Sequence, residues 1–123
     1  MSELLIIADD LTGAIEAGVQ LSKHGIPAEI VADLNTGLNS TIRDKKPSAI
    51  VINTESRHVS AKEAANSILK VLNAIKDFGF RWFFKKTDST MRGNIGAELD
   101  AFLHGTNSQV VPYIPAHPKV RRF

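Results

Sequence analysis

Short apolar runs alternate with helix-period stripes along this chain, and their order predicts the elements. Leu4 to Ala8 is a continuous apolar run that ends in Asp9-Asp10, as expected of a strand covered on both faces. Leu11, Ala14, Ile15, Gly18, Val19 and Leu21 follow at helical spacing, and Gly25 and Pro27 stop that helix. Ala28 to Ala32 predicts a second strand and Ala49 to Ile52 a third. The polar stretch Asp33 to Pro47 between them, with Asn35, Gly37 and Asn39, is a loop or a loop holding a short helix. Ser60 and Glu63 form a capping box, in which the Ser accepts from a free N–H and the Glu reaches back. Behind it Ala61, Ala64, Ala65, Ile68, Leu69, Leu72 and Ile75 mark a long amphipathic helix, closed by a left-handed Gly79. Phe80 to Phe84 predicts a fourth strand. Ile95, Leu99, Phe102 and Leu103 predict a third helix, with Asn94 as N-cap and Gly105 as stop, and Gln109 to Val111 predicts a fifth strand. The tail Pro112 to Phe123 holds three prolines and cannot be a regular helix.

Strands that alternate with helices imply an α/β fold. The expectation is one three-layer α/β/α domain over residues 1–123, with a mostly parallel, Rossmann-like or flavodoxin-like sheet of about five strands. No internal repeat or low-complexity segment interrupts it.

Composition narrows the function classes. With 43% apolar and 23% charged residues in 123, the chain is of ordinary globular character. The absence of Cys excludes disulfides, thiol catalysis and Cys-ligated zinc. The longest purely apolar run is the five residues Leu4 to Ala8, far short of a membrane span, and Met1-Ser2-Glu3 carries no basic stretch, so a soluble cytoplasmic protein is expected. The formal net charge of +2 is small, and the basic residues cluster locally, around Lys85, Lys86 and Arg92 and around Lys119, Arg121 and Arg122. Such clusters suit a small anion better than nucleic acid, which needs a longer basic stripe with stacking aromatics. The aromatics Phe78, Phe80, Trp82, Phe83 and Phe84 gather around one strand and read as core.

In an open α/β sheet ligands bind beyond the carboxyl ends of the strands. The polar clusters of this chain fall there: Asp9-Asp10-Leu11-Thr12-Gly13 after the first strand, Asn53 to Arg57 after the third, Lys86 to Asn94 after the fourth and Pro112 to Lys119 after the fifth. The second strand has no such cluster, which places it to the side. One helix cap needs one Asp or Thr, so two adjacent acids point further than a cap. Arg57 is either a loop charge paired with Glu55 or a guanidinium that holds a carboxylate through two parallel hydrogen bonds. Lys86, Asp88, Ser89, Thr90, Arg92 and Asn94 crowd nine residues ahead of a helix, and Gly93 admits close approach to the backbone, so this segment suits an anion. His24, His58 and His104 lack metal-ligand spacing, and no metal site is expected; His117 lies between two prolines near the same edge.

Motifs that are missing also inform. There is no G-x-x-x-x-G-K-[ST], no G-x-G-x-x-G and no G-x-S-x-G. A receiver-like signalling module would use Asp9, Asp10 and Thr87, but Asn53 stands where its phospho-accepting Asp belongs, and Lys119 is too distant for its Lys.

Taken together, Ile7 to Ala14, Asn53 to Arg57, Lys86 to Asn94 and Pro115 to Lys119 resemble, in order, four motifs of the N-terminal domain of the four-carbon acid sugar kinases, and the likeness spans essentially the whole chain. The resemblance implies an ATP-dependent kinase of threonate, erythronate or 3-oxo-tetronate, of which this chain is the sugar-binding part. ATP and Mg²⁺ would be held by a downstream domain that lies outside this chain. On that reading the chain alone is not a competent kinase; it resembles a fragment or truncated product, and self-association stays open. Arg57, Lys86 and Arg92 would orient the substrate carboxylate, and Thr12, Ser89 and Asn94 would read hydroxyls. Asp9 or Asp10 would accept a proton, and Gly13, Asp88 and Gly93 would complete the site. The fourth motif departs from the family pattern, which continues from Pro-Lys to Gly-Arg where this chain has Val120-Arg121-Arg122.

Overall fold

The computed structural model describes residues 3–33, 38–115, 117 and 119. Four strands, β1 (Leu4–Ala8), β2 (Ala28–Val31), β3 (Ala49–Asn53) and β4 (Trp82–Lys86), form one parallel sheet in the order β2-β3-β1-β4. Four helices, α1 (Leu11–Lys23), α2 (Leu38–Lys45), α3 (Ala61–Ile75) and α4 (Ile95–Gly105), lie between and after them. The α/β reading therefore holds, with β2 at the side as expected. The polar stretch before β3 does contain a short helix, α2, while Asn35 and Gly37 lie outside the described residues.

Parallel strands alternate their side chains between two covered faces. Leu5, Ile7, Ile50 and Ile52 point to one face, where they join Leu38 and Ile42 of α2, Ile68, Val71, Leu72 and Ile75 of α3, and Ala101 and Phe102 of α4. Ile6, Ala8 and Val51 point to the other, where Ala14 of α1 meets them, with Leu4, Ala17 and Leu21 partly buried beside them. Three helices cover one face and one covers the other. Among the described residues no helix is long and apolar enough to cross a membrane.

Local signals act largely as the sequence predicts. Ser60 Oγ accepts from the Glu63 N–H at 3.1 Å, and a 3₁₀ turn (Lys76–Phe78) carries α3 to Gly79 at φ 74°. Other expectations are corrected. The predicted fifth strand, Gln109–Val111, is irregular: Val110 is exposed and only Val111 packs on the core. A three-residue run ended by Pro112, which lacks an N–H, offers too little to sustain a ladder. The fourth strand lies two residues later than Phe80–Phe84, because the Arg81 and Trp82 N–H groups bond to Glu3 O and set Trp82 beside Leu4. That register turns Trp82 and Phe84 to the α1 face, where they are 63% and 53% exposed rather than core. Asn94 occupies the N-cap position of α4 without a side-chain cap bond, since its amide bonds elsewhere.

Gly105 is the last residue of α4, as expected, although it is not left-handed. A Cβ there would collide with the Leu72 side chain, so the glycine permits the close contact of α3 with α4. A Cβ on Gly96, in the same helix, would meet nothing within 4 Å. Gly105→Ala is therefore expected to cost about 1–3 kcal/mol by overpacking, while Gly96→Ala gains about 0.5 kcal/mol by removing unfolded-state freedom. Urea unfolding of the two variants, which should move in opposite directions, checks the helix contact.

Candidate functional site

β1 sends its helix to one face of the sheet, and β3 and β4 send theirs to the other. The chain therefore parts around the carboxyl end of β1, where α/β sheets open a crevice. The loop after β3 is latched to that point. Thr54 N–H donates to Ala8 O at 2.9 Å, and the Ser56 and Arg57 N–H groups both donate to Asp9 O at 3.0 and 3.2 Å. Glu55 turns the chain at φ 50°, a conformation that its neighbour Asn53 supports by accepting the Glu55 N–H at 2.9 Å and donating to its carboxylate at 2.6 Å.

This turn delivers Arg57 over the two acids. Its Nε and Nη2 donate to Asp9 Oδ2 and Oδ1 at 3.1 and 3.0 Å, and its Nη1 lies 3.1 Å from Asp10 Oδ2. The other Asp10 oxygen accepts from Gly13 N–H at 2.9 Å and caps α1. The bond to Asp9 raises the Arg57 guanidinium above its ordinary value against the opposing effect of burial. The side chains differ in access: Asp9 is 5% exposed and Asp10 25%.

The loop after β4 closes the third side. Gly93 sits at φ 96°, and a Cβ there would stand 2.8 Å from Asp9 Oδ2 and 3.4 Å from Arg57 Cγ. Only a glycine satisfies both the conformation and the approach. Asp88 organises this loop: its carboxylate accepts from Arg92 Nε at 2.6 Å, Arg92 Nη2 at 3.2 Å, Arg92 N–H at 3.2 Å and the Thr90 hydroxyl. The Arg92 guanidinium holds the Asp88 carboxyl well below the usual carboxylate range, with burial opposing and Thr90 assisting. The Arg92 side chain itself is 61% exposed. Asn94 Nδ2 donates to Ser56 O at 3.1 Å and Val59 O at 2.8 Å, which ties the start of α4 to the β3 loop.

Beneath these groups is a buried polar floor. Glu98 Oε1 accepts from Ser56 Oγ at 2.9 Å and lies 3.4 Å from Lys85 Nζ, and both charged side chains are 2% exposed. Ser56 Oγ also lies 2.7 Å from Thr54 Oγ1, which donates to Ala8 O at 3.1 Å. Burial pushes the Lys85 ammonium down and the Glu98 carboxyl up, each against the attraction of the other.

The structure thus brings Asp9, Asp10, Arg57 and Gly93 into contact and sets Asp88 and Arg92 in the adjoining loop. Thr12, Lys86 and Ser89 lie to the β4 side, where they line one end of a groove; Lys86 Nζ donates to Thr87 O at 2.9 Å and lies 3.8 Å from Glu16. Gly13 is buried under Asp10 and beside Lys86. His24, His58, His104 and His117 are exposed, and among the described residues no three His, Asp or Glu side chains are grouped to hold a metal. In the fourth motif, Ala116, Pro118, Val120, Arg121 and Arg122 lie outside the described residues. Sequence reasoning missed Glu98, Ser56, Thr54 and Lys85. The available signal was Glu98 on the Ile95–Phe102 face of an otherwise apolar stripe, three residues after Ile95 and four before Phe102.

Comparison with known proteins identifies the family. The chain is 34% identical over 121 residues to the D-threonate kinase of Salmonella typhimurium, covering 98% of this chain and 27% of that enzyme. It is 37% identical over 103 residues to the D-erythronate kinase of Heliobacterium modesticaldum, covering 84% of this chain and 23% of that enzyme. It is also 34% identical over 117 residues to the 3-oxo-tetronate kinase of Actinobacillus succinogenes, covering 92% of this chain and 27% of that enzyme. The chain therefore spans about a quarter of the length of these relatives. A solved structure from Salmonella typhimurium superposes with a TM-score of 0.85 at 30% identity, over 97% of this chain and 28% of that one. A domain-swapped dimer from Bordetella bronchiseptica with bound citrate gives 0.77 at 28%, over 85% of this chain and 26% of that one. The model of the sugar-binding N-terminal domain matches residues 4–123, and the chain belongs to that family.

Proposed function

We propose that this chain binds a four-carbon sugar acid of the threonate, erythronate or 3-oxo-tetronate type, as the substrate-binding part of an ATP-dependent kinase. The observation that carries this reading is the convergence of Asp9, Asp10, Arg57 and Gly93 from three strand ends at the crevice beside β1. The matched kinases act on small sugar acids by name, and the domain-swapped Bordetella protein holds citrate, itself a hydroxy acid.

The geometry suggests how the roles divide. Arg57 is already bound to two carboxylates, so its part is to hold Asp9 and Asp10 in place. Lys86 and the exposed Arg92 are the cations a dissolved carboxylate can reach. Thr12 and Ser89, on the same side, are placed to meet hydroxyls. Asp10, more open than Asp9, is the carboxylate that would accept the proton of an attacking hydroxyl. Asn94 and Asp88 shape the loop that presents Arg92. ATP and its Mg²⁺ have no glycine-rich phosphate cradle in this sequence and no grouped ligands among the described residues. The proposal assigns them to polypeptide of the kind that makes up the remainder of the relatives, and no step through them is derived from this chain.

Three measurements test this reading. D-Threonate or D-erythronate should raise the thermal midpoint, with about 2.7 kcal/mol of added stability at a hundredfold excess over Kd; no response to any four-carbon sugar acid would overturn it. Arg57→Ala should cost about 3 kcal/mol in urea unfolding and erase the ligand response, because two carboxylates lose their shared cation. Arg92→Ala should also erase the ligand response yet leave circular dichroism unchanged. Its pH dependence identifies the Asp88 contact. Asp88 has a depressed folded-state pKa, so the stability it contributes is present above its ordinary 3.8 and is lost as pH falls below that value. The stability gap between the parent chain and Arg92→Ala should therefore narrow below pH 3.8, and a gap that persists unchanged into stronger acid would exclude the assignment.

A further inference from the structure

The α1 side of the sheet is only half covered. α1 packs chiefly over β2, β3 and β1 and only lightly on β4, so among the described residues Trp82 and Phe84 on that face of β4 stay exposed. Parallel sheets are normally covered on both faces, because their crossover helices pack there. The result is a groove of about 930 Å³ floored by Leu4 and Ile6. One wall is a stripe of α1, with Ile15 and Val19 44–45% exposed in continuation of Leu11; the other is β4, where Phe84 lines the groove and Trp82, two residues earlier on the same sheet face, stands exposed beyond it. Leu11, Ile15 and Val19 are spaced four apart and so form one row along the helix. Ile114, Pro115, His117 and Lys119 of the tail also line it, yet Ile114 and Phe84 stay exposed.

A sugar acid has no use for an aliphatic trough. The polar end of the groove, at Thr12, Lys86 and Ser89, belongs to the candidate site, whereas the body is apolar. Its length follows the five-residue strands, about 16 Å at 3.3 Å per residue, which equals about three turns of helix at 5.4 Å each. The relatives supply a source for such a helix, since about three quarters of their length lies outside the match.

We propose that this groove is the seat of an amphipathic helix from polypeptide of the kind that the kinase relatives carry beyond the matched quarter. That helix would cover Phe84 and Trp82 with its apolar face and complete the second helical layer of the sheet. This inference concerns packing and stands apart from the ligand reading.

The test joins this chain, at residue 123, to the part of the Salmonella typhimurium D-threonate kinase beyond its match, with a second chimera on the Heliobacterium modesticaldum enzyme. Hydroxyl-radical labelling is read by peptide at Trp82, the chain's only tryptophan, and at Phe84. Labelling several-fold slower in the chimeras than in the isolated chain supports the proposal; equal rates in both chimeras overturn it. If the isolated chain protects the same residues in proportion to a dimer, the occupant is a second copy and the proposal fails. Phe84→Glu should lower the chimera's midpoint by several degrees and barely move that of the isolated chain. Leu69→Glu, on the exposed side of α3, is the control and should treat both alike. An equal effect of Phe84→Glu on both proteins also overturns the assignment.

Discussion

The arrangement of the site depends on the guanidinium of Arg57 between Asp9 and Asp10. Two adjacent carboxylates at the end of a buried strand repel each other and lose solvation, and one planar cation, hydrogen-bonded to Asp9 and ion-paired with Asp10, offsets both costs. The backbone is fitted to the same contact. Asp9 O takes two N–H groups from the β3 loop, the left-handed Glu55 turns that loop toward β1, and Gly93 leaves room for the third loop. A side chain at Gly93 would press on Asp9 Oδ2, so the glycine is what lets the β4 loop close over the ion pair. Three stretches far apart in sequence thereby share one geometry.

The floor beneath that pair works on a different balance. Lys85 and Glu98 are taken out of water together, and burial moves each toward its neutral form. A pair of this kind adds little net stability against an apolar substitute. What it fixes is position: Glu98 Oε1 holds Ser56, the residue before Arg57, to α4 and to β4 at once. Ser56 Oγ donates to that carboxyl at 2.9 Å and lies 2.7 Å from Thr54 Oγ1, which carries the polar contacts on to Ala8 O at the end of β1.

Most of the element order was legible because parallel strands and amphipathic helices leave opposite periodicities in a sequence. Ser60, Gly25 and Gly79 acted as punctuation through purely local chemistry, which is why they were readable. The failures share a cause. Gly105 does end α4, but the contact that requires a glycine there, with Leu72 of another helix, was not legible. Asn94 was expected to cap its own helix, and its amide instead serves carbonyls of the β3 loop. Glu98 was not singled out, and Lys85 was grouped with Lys86 and Arg92 as a basic cluster, because the partner of each lies on a separate element. Each of these residues is explained by a contact distant in the chain, which spacing alone does not encode. The acids at the end of β1, by contrast, could be placed from sequence, since the strand-end rule fixes where they stand even before their partners are known.

Trp82 and Phe84 belong to this argument from the other direction. An aromatic run beside a buried strand is ordinarily core, and the pleat does send Phe83 inward and Trp82 and Phe84 outward. The outward side chains stand exposed because α1, the one helix on that face among the described residues, packs chiefly over the other strands. The same groove ends at Thr12, Lys86 and Ser89. An element seated along β4 would therefore wall the crevice as well as cover the aromatics, and would lower the local dielectric around Lys86. Coulomb interactions strengthen as water is excluded, so on the proposed readings the grip on a small carboxylate and the closure of the second face are physically linked.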